Sequence, residues 1–234
     1  METGATLEGR KMNADQIKAV LESHRKWGNN EGGERANLSG VNLSGANLSR
    51  ANLYRADLYL ADLSGANLTR ANLSGANLSR ANLYRADLYL ADLSGANLNR
   101  ANLSGANLTR ANLSGANLSR ANLSGADLYL ADLSGADLSR AGFCGATGNL
   151  TNLKSIFLDT YQITYTAEMI QIGCQQHPIA DWLGFSDAEI KAMDGEKALD
   201  WWKKYKPLLM QIIELSPAEP TKSESAEGAN NVNN

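Results

Sequence analysis

The chain has 234 residues with a formal net charge of −3, and it contains two Cys and three Phe. This charge indicates neither a polyanionic nor a polycationic partner, and a secreted disulfide scaffold of this length would contain more cysteines. No apolar run reaches the roughly 20 residues that cross a membrane, and the amino terminus lacks the apolar core of a secretory signal. The composition therefore favours a cytoplasmic protein with free thiols and no membrane partner.

Two segments precede the repeats of this chain. Residues 1–12 contain no apolar pattern and are predicted to be an unstructured leader. Residues 13–35 are predicted to form a helical cap, in which Asn13 accepts hydrogen bonds from the first turn of a helix. The helix carries four residues on one face: Ile17, Val20, Leu21 and His24. We expect His24 to lie on the surface of this cap and to have no catalytic role.

A five-residue repeat dominates the middle of the chain. Residues 36–140 form 21 consecutive pentapeptides, with Ala first in all but Val41, Asn or Asp second and Leu third. The segment at 141–145, AGFCG, is a degraded further copy. A helix would scatter the leucines by about 140° per repeat, and one long strand would send them to alternate faces. Each pentapeptide is therefore predicted to be a very short strand followed by a corner. Corners that all turn in the same direction build a solenoid.

The motif A-(D/N)-L-x-x resembles the pentapeptide repeat family. That resemblance implies an all-β solenoid, namely a right-handed quadrilateral parallel β-helix with four repeats per coil and about five coils across residues 36–145. Such a rod exposes its core at both ends. We therefore expect the amino-terminal helical cap to cover one end and a small α+β module at 146–215 to follow the other.

The implied coil aligns residues that are twenty apart in the sequence. One column then contains four arginines, which form a candidate surface for an anion or a partner: Arg80, Arg100, Arg120 and Arg140. A second column on the opposite face contains Arg50, Arg70 and Arg110. An alternative is that the four arginines only solubilise the rod. The interleaved aromatic residues that favour single-stranded nucleic acid are absent from this column, so nucleic acid is not the expected partner.

The pentapeptides also contain a longer repeat of thirty residues. Residues 46–75 and 76–105 are identical except for Thr69 in place of Asn99. In the implied coil this shift places equal sequence on opposite faces. The duplication therefore indicates growth of a rod and not copying of a binding site.

The carboxy-terminal module, 146–215, has a different composition. Residues 155–173 are rich in β-branched and aromatic side chains and predict two strands. A short helix is predicted in HPIADWLGF, and Ser186 with Glu189 forms a capping box before the next helix. An amphipathic helix is predicted over 195–214, with a kink or split at Pro207. Residues 216–234 lack core residues and are predicted to be disordered.

Four apolar residues of the last predicted helix form a candidate protein-contact or dimer surface: Trp201, Trp202, Leu208 and Leu209. The module weakly resembles the carboxy-terminal piece of pentapeptide repeat proteins from phages and prophages, through IQIGCQQHPIADWLGF and MDGEKALDWWKKYKPLL. Some members of the family dimerise through a carboxy-terminal helical module. The resemblance therefore makes a homodimer through this module one expectation.

Cys174 and His177 have a spacing that occurs in metal sites and in Cys–His nucleophiles. Zinc requires four ligands, or three and a water. Cys144 is the only other thiol of the chain, and the only other imidazole, His24, is expected at the far end of the rod. A nucleophilic pair would also need an orienting group, which the sequence does not supply. We therefore expect no metal, no cofactor and no catalytic residue.

These observations predict a non-enzymatic scaffold or interaction protein whose rod and module bind an unknown protein partner. The resemblance also raises an alternative, since the family's best-known members interact with DNA gyrase by imitating DNA. Residues 36–140 contain nine Arg and seven Asp, and this charge does not resemble a phosphate backbone. The gyrase alternative is therefore disfavoured.

Overall fold

A computed structural model describes residues 11–149 and 151–221 of the chain. Helix α1 spans Ala14–Gly28 and is followed by the repeats. Four strands come next: β1 (Lys154–Leu158), β2 (Tyr161–Tyr165), β3 (Met169–Ile172) and β4 (Gln175–Pro178). Helices α2 (Ile179–Gly184) and α3 (Asp187–Leu215) complete the chain of elements. Most of the predicted leader, at 1–10, and most of the predicted tail, at 222–234, lie outside the described residues.

The repeats form a parallel solenoid with a period of twenty residues. Parallel bridges join second-position residues twenty apart, from Asn37 with Asp57 to Asp127 with Thr147. Backbone bonds follow the same step, as where the Leu103 N–H donates to the Asn122 carbonyl at 2.7 Å. The Leu103 side chain is 0% exposed, like nearly every third-position leucine. These bonds confirm the predicted solenoid. Each short strand pairs with the strand in the same position of the next coil.

Helix α1 covers the amino-terminal end of this rod. Asn13 caps the helix in a reciprocal capping box with Gln16, as the sequence predicted. The apolar face of α1 packs on the rod core through Ile17, Val20 and Leu21.

Two expectations about this end are wrong. His24 is 1% exposed, because its Nδ1 accepts a hydrogen bond from the Ala36 N–H at the entrance to the first coil. The last two residues of the predicted leader also belong to the rod. Lys11 makes a parallel bridge with Asn42, and Met12 is buried in the rod core.

The carboxy-terminal module contains a four-stranded antiparallel sheet in the order β1-β2-β3-β4. The sequence predicted only two strands here. Two strands were missed because β1 and β2 are separated by only two residues and because β3 and β4 are only four residues long. The predicted short helix is α2, and the Ser186–Glu189 capping box is confirmed at the start of α3. The interruption in α3 falls at Asp194 and Gly195 and not at Pro207. Gly195 has a φ of 67°, which ends the first helical segment.

Successive residues of the strands face opposite sides, so the sheet has two different faces. Ile163, Tyr165 and Ile170 point away from the rod into a second core, where they join Trp182 and Trp202. The other face lies against the last coil. None of the described helices combines the length and the hydrophobicity needed to cross a membrane.

The segment after α3 returns to the junction between the module and the rod. The Tyr165 hydroxyl donates to the Ser216 carbonyl at 2.8 Å, and the Glu219 N–H donates to the Thr151 carbonyl at 3.0 Å. Ala218 is buried, and the Gly135 N–H donates to the Thr221 carbonyl. The prediction of disorder from residue 216 is therefore wrong for residues 216–221.

Candidate binding surfaces

Every corner of the rod between residues 36 and 140 is built by the same local hydrogen bonds. The second-position side chain accepts from the N–H two residues later, as where Asn102 Oδ1 accepts from Ser104 at 3.2 Å. The fifth residue then adopts a positive φ throughout the repeats from residue 40 to residue 145. Glycine tolerates this conformation without strain, whereas arginine and leucine do not. An arginine at this position is therefore held on the corner, and its side chain points away from the core.

The structure aligns the four predicted arginines along one edge of the rod. Arg80, Arg100, Arg120 and Arg140 are all exposed, and their φ values lie between 58° and 59°. The backbone N–H groups of Arg80, Arg100 and Arg120 donate to the next coil, as from Arg100 to the Ser119 carbonyl at 3.0 Å. We name this set the arginine column. Leu60 occupies the same column at its amino-terminal end and is 42% exposed.

The arginine column lacks a carboxylate partner among the described residues. None of the ion pairs found between residues 11–149 and 151–221 includes an arginine of the rod. Asp57 Oδ1 accepts from the Tyr59 N–H at 3.1 Å and from the Asn77 amide at 3.0 Å, and Asp137 Oδ1 accepts from the Ser139 N–H at 3.0 Å. The column is therefore a row of positive charge carried on a fixed backbone.

Two other arginines of the rod are stacked on tyrosines. The Arg55 guanidinium lies 5.0 Å from the ring centre of Tyr54, and Arg85 lies at the same distance from Tyr84. The two pairs belong to the two copies of the duplicated segment. They lie thirty residues apart, and the bridges give twenty residues per coil, so they occupy opposite faces. This supports the interpretation that the duplication extended the rod.

Three of the four residues assigned to a carboxy-terminal contact surface are buried in the module itself. Trp201 and Trp202 are 5% and 4% exposed, and Leu209 is fully buried. The Trp201 Nε1 donates to the Leu158 carbonyl at 2.8 Å, and Trp202 packs against Trp182 with ring centres 5.3 Å apart. Their assignment to a contact surface is therefore corrected, because the sheet covers this face of α3. Leu208 alone of the four is exposed.

Three glutamines, none of which the sequence analysis selected, join the module to the last coil. Gln171 Oε1 accepts from the Phe143 N–H at 3.2 Å, and the Gln176 side chain donates to the Ala141 carbonyl at 2.8 Å. The Gln162 side chain donates to the Ala146 carbonyl at 3.0 Å. For Gln162 and Gln171, the signal in the sequence was the alternation of polar and apolar residues in YQITY and MIQI, which indicates a sheet with one polar face.

The structure gives Cys174 and His177 different neighbours. Cys174 Sγ lies 3.3 Å from Cys144 Sγ, whereas the His177 ring packs edge-on against Trp182 and Phe185. No cluster of three or more His, Cys, Asp or Glu residues suited to a metal occurs in the part of the chain that the structure describes.

The concave surfaces differ in size and in chemistry. The module contains a cavity of about 40 Å³ among Tyr161, Trp182 and Trp202, far below the roughly 300 Å³ of a small-ligand site. A groove of about 770 Å³ lies between α1 and the first coils and is lined by Ile17, Leu21 and Ala46. Its lining contains neither histidine nor cysteine, and its one carboxylate, Glu22, is paired with Arg25.

Comparisons with known structures return other solenoids of this kind. The first is the pentapeptide repeat protein Rfr23 from the cyanobacterium Cyanothece 51142, at 32% identity over 57% of this chain and 97% of that chain, with a TM-score of 0.34. HetL from Nostoc sp. strain PCC 7120, a pentapeptide repeat protein involved in the regulation of heterocyst differentiation, matches at 36% identity. That match covers 49% of this chain and 62% of HetL, with a TM-score of 0.20.

QnrB1, a plasmid-mediated fluoroquinolone resistance protein, is similar at 21% identity, over 49% of this chain and 70% of that chain, with a TM-score of 0.26. Scores this low support no functional argument. A comparison with curated proteins gives no significant match.

The match to a family model is more extensive. The model of pentapeptide repeats matches residues 34–70, 61–100, 101–140 and 126–155, in eight copies. These matches together span more than half of the 234 residues. The same residues form the parallel ladder with its period of twenty. The chain therefore belongs to the pentapeptide repeat family, and its solenoid is the family's right-handed quadrilateral β-helix.

Proposed function

We propose that this protein is a non-enzymatic scaffold that binds an acidic protein partner along the arginine column. The single observation that supports the proposal is the row of four exposed guanidinium groups without carboxylate partners among the described residues. Like charges that are repeated on successive coils, about 4.8 Å apart, repel one another, and an anionic partner removes that repulsion. Because the corners are fixed by the backbone ladder, little ordering of the rod is needed on binding.

A pair of matched variants tests the proposal. The first replaces Arg80, Arg100 and Arg120 with Gly, and the control replaces Arg50, Arg70 and Arg110 with Gly. Both remove three charges from the same position of the repeat, and Gly fits the positive φ of each corner. Each tagged protein is used to capture partners from bacterial lysate at low and at moderate salt, with identification by mass spectrometry.

We expect the first variant to lose a salt-sensitive partner that the control and the unchanged protein retain. If both variants retain every partner, the arginine column is not a binding surface and the proposal is wrong. Recovery of nucleic-acid-associated proteins alone, followed by their loss after nuclease treatment, would also contradict a protein partner.

The gyrase alternative is disfavoured by charge. The rod segment 36–140 has nine Arg against seven Asp, and its longest row of like charge is positive. A surface that imitates DNA must be negative along its length. Purified protein should therefore leave the supercoiling activity of DNA gyrase unchanged, with and without a fluoroquinolone. Inhibition of supercoiling, or protection from the drug, would establish the alternative and overturn the charge argument.

A cytoplasmic location and a homodimer through the module stay predictions. Because Trp201 and Trp202 are buried, a dimer contact would use the exposed apolar residues of α2 and α3: Leu183, Leu208 and Leu215. Light scattering of the purified chain over a range of concentrations distinguishes a dimer from a monomer.

A further inference from the structure

The two cysteines of the chain meet where the rod joins the carboxy-terminal module. Cys144 lies in AGFCG, the last pentapeptide, and Cys174 lies in the turn between β3 and β4. Their sulfur atoms are 3.3 Å apart, although thirty residues separate them in the sequence. Cys144 Sγ also lies 3.1 Å from the Gly173 carbonyl oxygen, to which the thiol donates. The Cys174 thiol can therefore donate its own hydrogen to the Cys144 sulfur in a hydrogen bond.

The backbone on both sides of the two thiols is held in place by one buried side chain. Gln171 accepts from the Phe143 N–H at 3.2 Å and donates to the Gly173 carbonyl at 3.1 Å. It thus connects the residue before Cys144 to the residue before Cys174. A disulfide bond requires its sulfurs to approach to about 2.05 Å, which is a further movement of about 1 Å from the observed distance.

We propose that Cys144 and Cys174 are a redox modification site, at which a reversible intramolecular disulfide fastens the carboxy-terminal module to the end of the rod. The oxidant is a low-molecular-weight disulfide such as oxidised glutathione. In the reduced protein, hydrogen bonds and packing alone hold the module to the last coil. In the oxidised protein, a covalent bond is added at this junction.

The difference in solvent exposure determines which of the two cysteines reacts first with the oxidant. Cys174 is exposed, whereas Cys144 is half-buried. Burial, followed by the neighbouring Cys174 thiol, raises the pKa of Cys144 to about 11. The thiolate is the reactive form of cysteine, so Cys174 reacts first with an oxidant from solution.

The exchange then proceeds in two balanced steps. The Cys174 thiolate attacks one sulfur of oxidised glutathione, a mixed disulfide forms, and one glutathione thiolate leaves. Cys144 loses its proton and attacks the Cys174 sulfur, the protein disulfide forms, and the second glutathione thiolate leaves. The two glutathione thiolates take up the two protons that the cysteines released. Two protein thiols are thereby oxidised while one glutathione disulfide is reduced to two thiols.

The bond is expected to restrain local opening of the module. A cross-link that closes a loop of about thirty residues removes much of the conformational freedom of the opened state. Amide hydrogens of β1 to β4 that exchange through separation of the sheet from the rod should therefore exchange about 30-fold more slowly in the oxidised protein.

The test uses the full chain, reduced and then equilibrated with mixtures of oxidised and reduced glutathione. Intact mass, peptide mapping and non-reducing electrophoresis identify the products. We expect a monomer that has lost two hydrogens, with Cys144 and Cys174 in one cross-linked peptide pair, and recovery of the thiols when a reductant is added. The Cys144→Ser variant should instead accumulate a glutathione adduct on Cys174, and Cys174→Ser should react much more slowly.

Three results would overturn the proposal. In the first, the unchanged protein stops at the mixed disulfide, which would mean that Cys144 cannot reach Cys174. In the second, oxidation yields only cross-linked dimers. In the third, the intramolecular bond forms but hydrogen exchange of β1 to β4 is the same in the two states, so that the bond does not fasten the module.

Discussion

At the scale of single residues, the fifth position of each pentapeptide places a limit on stability. Arg100 has a φ of 59°, in the left-handed region where a side chain with a Cβ is strained. The fifth position is occupied either by Gly, which fits this conformation, or by Arg or Leu, which do not. The long side chains on the corners are therefore present at the expense of stability.

Replacement of Arg100 with Gly and with Ala separates the backbone effect from the effect of charge. Both variants lose the guanidinium, but only Ala keeps the strained Cβ. We expect the Gly variant to be about 1 kcal/mol more stable than the Ala variant in denaturant unfolding, because the relief of strain exceeds the greater entropy of Gly in the unfolded chain. Equal stability of the two variants would show that the corner is not strained.

His24 links the stability of the amino-terminal cap to pH. Its Nδ1 accepts from the Ala36 N–H at 3.0 Å, so the neutral ring carries its proton on Nε2. Nε2 is buried without a hydrogen-bond partner in the described part of the chain. A proton added to Nδ1 would break the bond to Ala36 and place a charge in the interior. Burial lowers the pKa of His24 below its usual value, and the nearby charge of Arg35 lowers it further, whereas the backbone of Tyr54 opposes part of this shift.

The sign of the pH effect follows from this shift. The unfolded cap binds a proton near pH 6.5, whereas the folded cap resists protonation to a lower pH. Stability from His24 is therefore fully present above about pH 6.5 and is lost as the pH falls through the folded pKa. We expect hydrogen exchange of α1, corrected for its intrinsic pH dependence, to show opening at pH 5 but not at pH 7.5. The variant His24→Gln, which can accept from Ala36 without titrating, should lose the pH dependence, and retention of it would implicate another group.

At the scale of elements, the β-sheet of the module acts as a lid with one polar and one apolar face. The last coil of a solenoid presents backbone groups that no further coil satisfies. Gln162, Gln171 and Gln176 bind three of these groups, while the opposite face of the sheet packs on α2 and α3. The sheet thus connects two cores that share no residue.

The variant Gln171→Met tests this connection. Methionine keeps the length of the side chain but leaves the buried Phe143 N–H without an acceptor, which destabilises docking of the module by about 1–3 kcal/mol. Denaturant unfolding and hydrogen exchange of β2 and β3 measure the loss. The control Gln211→Met changes an exposed glutamine of α3 and should alter stability by less than about 0.5 kcal/mol. An equally small effect of Gln171→Met would show that the amide does not hold the module.

At the scale of the whole molecule, the rod is a one-dimensional stack in which each coil contacts only its neighbours. The ladder continues from Asn37 to Thr147 without a break in its period of twenty. Stability is then expected to depend on the number of intact interfaces between coils. The exact length of the rod matters less than the integrity of each repeat.

Two deletions test this property. Removal of residues 76–95 takes out one complete coil and leaves Arg100 stacked where Arg80 was, so we expect a folded protein with a modestly lower denaturant midpoint. Removal of only residues 77–79 deletes the buried Leu78 and a rung of the ladder, so it should be more destabilising than the larger deletion. Circular dichroism during denaturant unfolding compares the two. A greater loss from the complete coil would contradict the model of independent stacked coils.

Local and periodic features were determined by the sequence alone. The Ala-(Asn/Asp)-Leu motif predicted the buried and exposed positions of the rod. The resemblance to the family gave the twenty-residue period that aligns the arginine column. Asn13 and the Ser186–Glu189 pair marked the starts of helices, because a cap depends on residues three positions apart. Such predictions succeed because each unit repeats the same contacts with its immediate neighbours.

Contacts between distant parts of the chain were decided only by the tertiary structure. Burial of Trp201 and Trp202 depends on a sheet whose strands lie far from α3 in the sequence, and burial of His24 depends on the entrance to the first coil. The sulfur atoms of Cys144 and Cys174 meet only because the sheet folds back over the last coil. These contacts carry no period and join surfaces of different composition, so they follow from how the rod end and the module fit together in space.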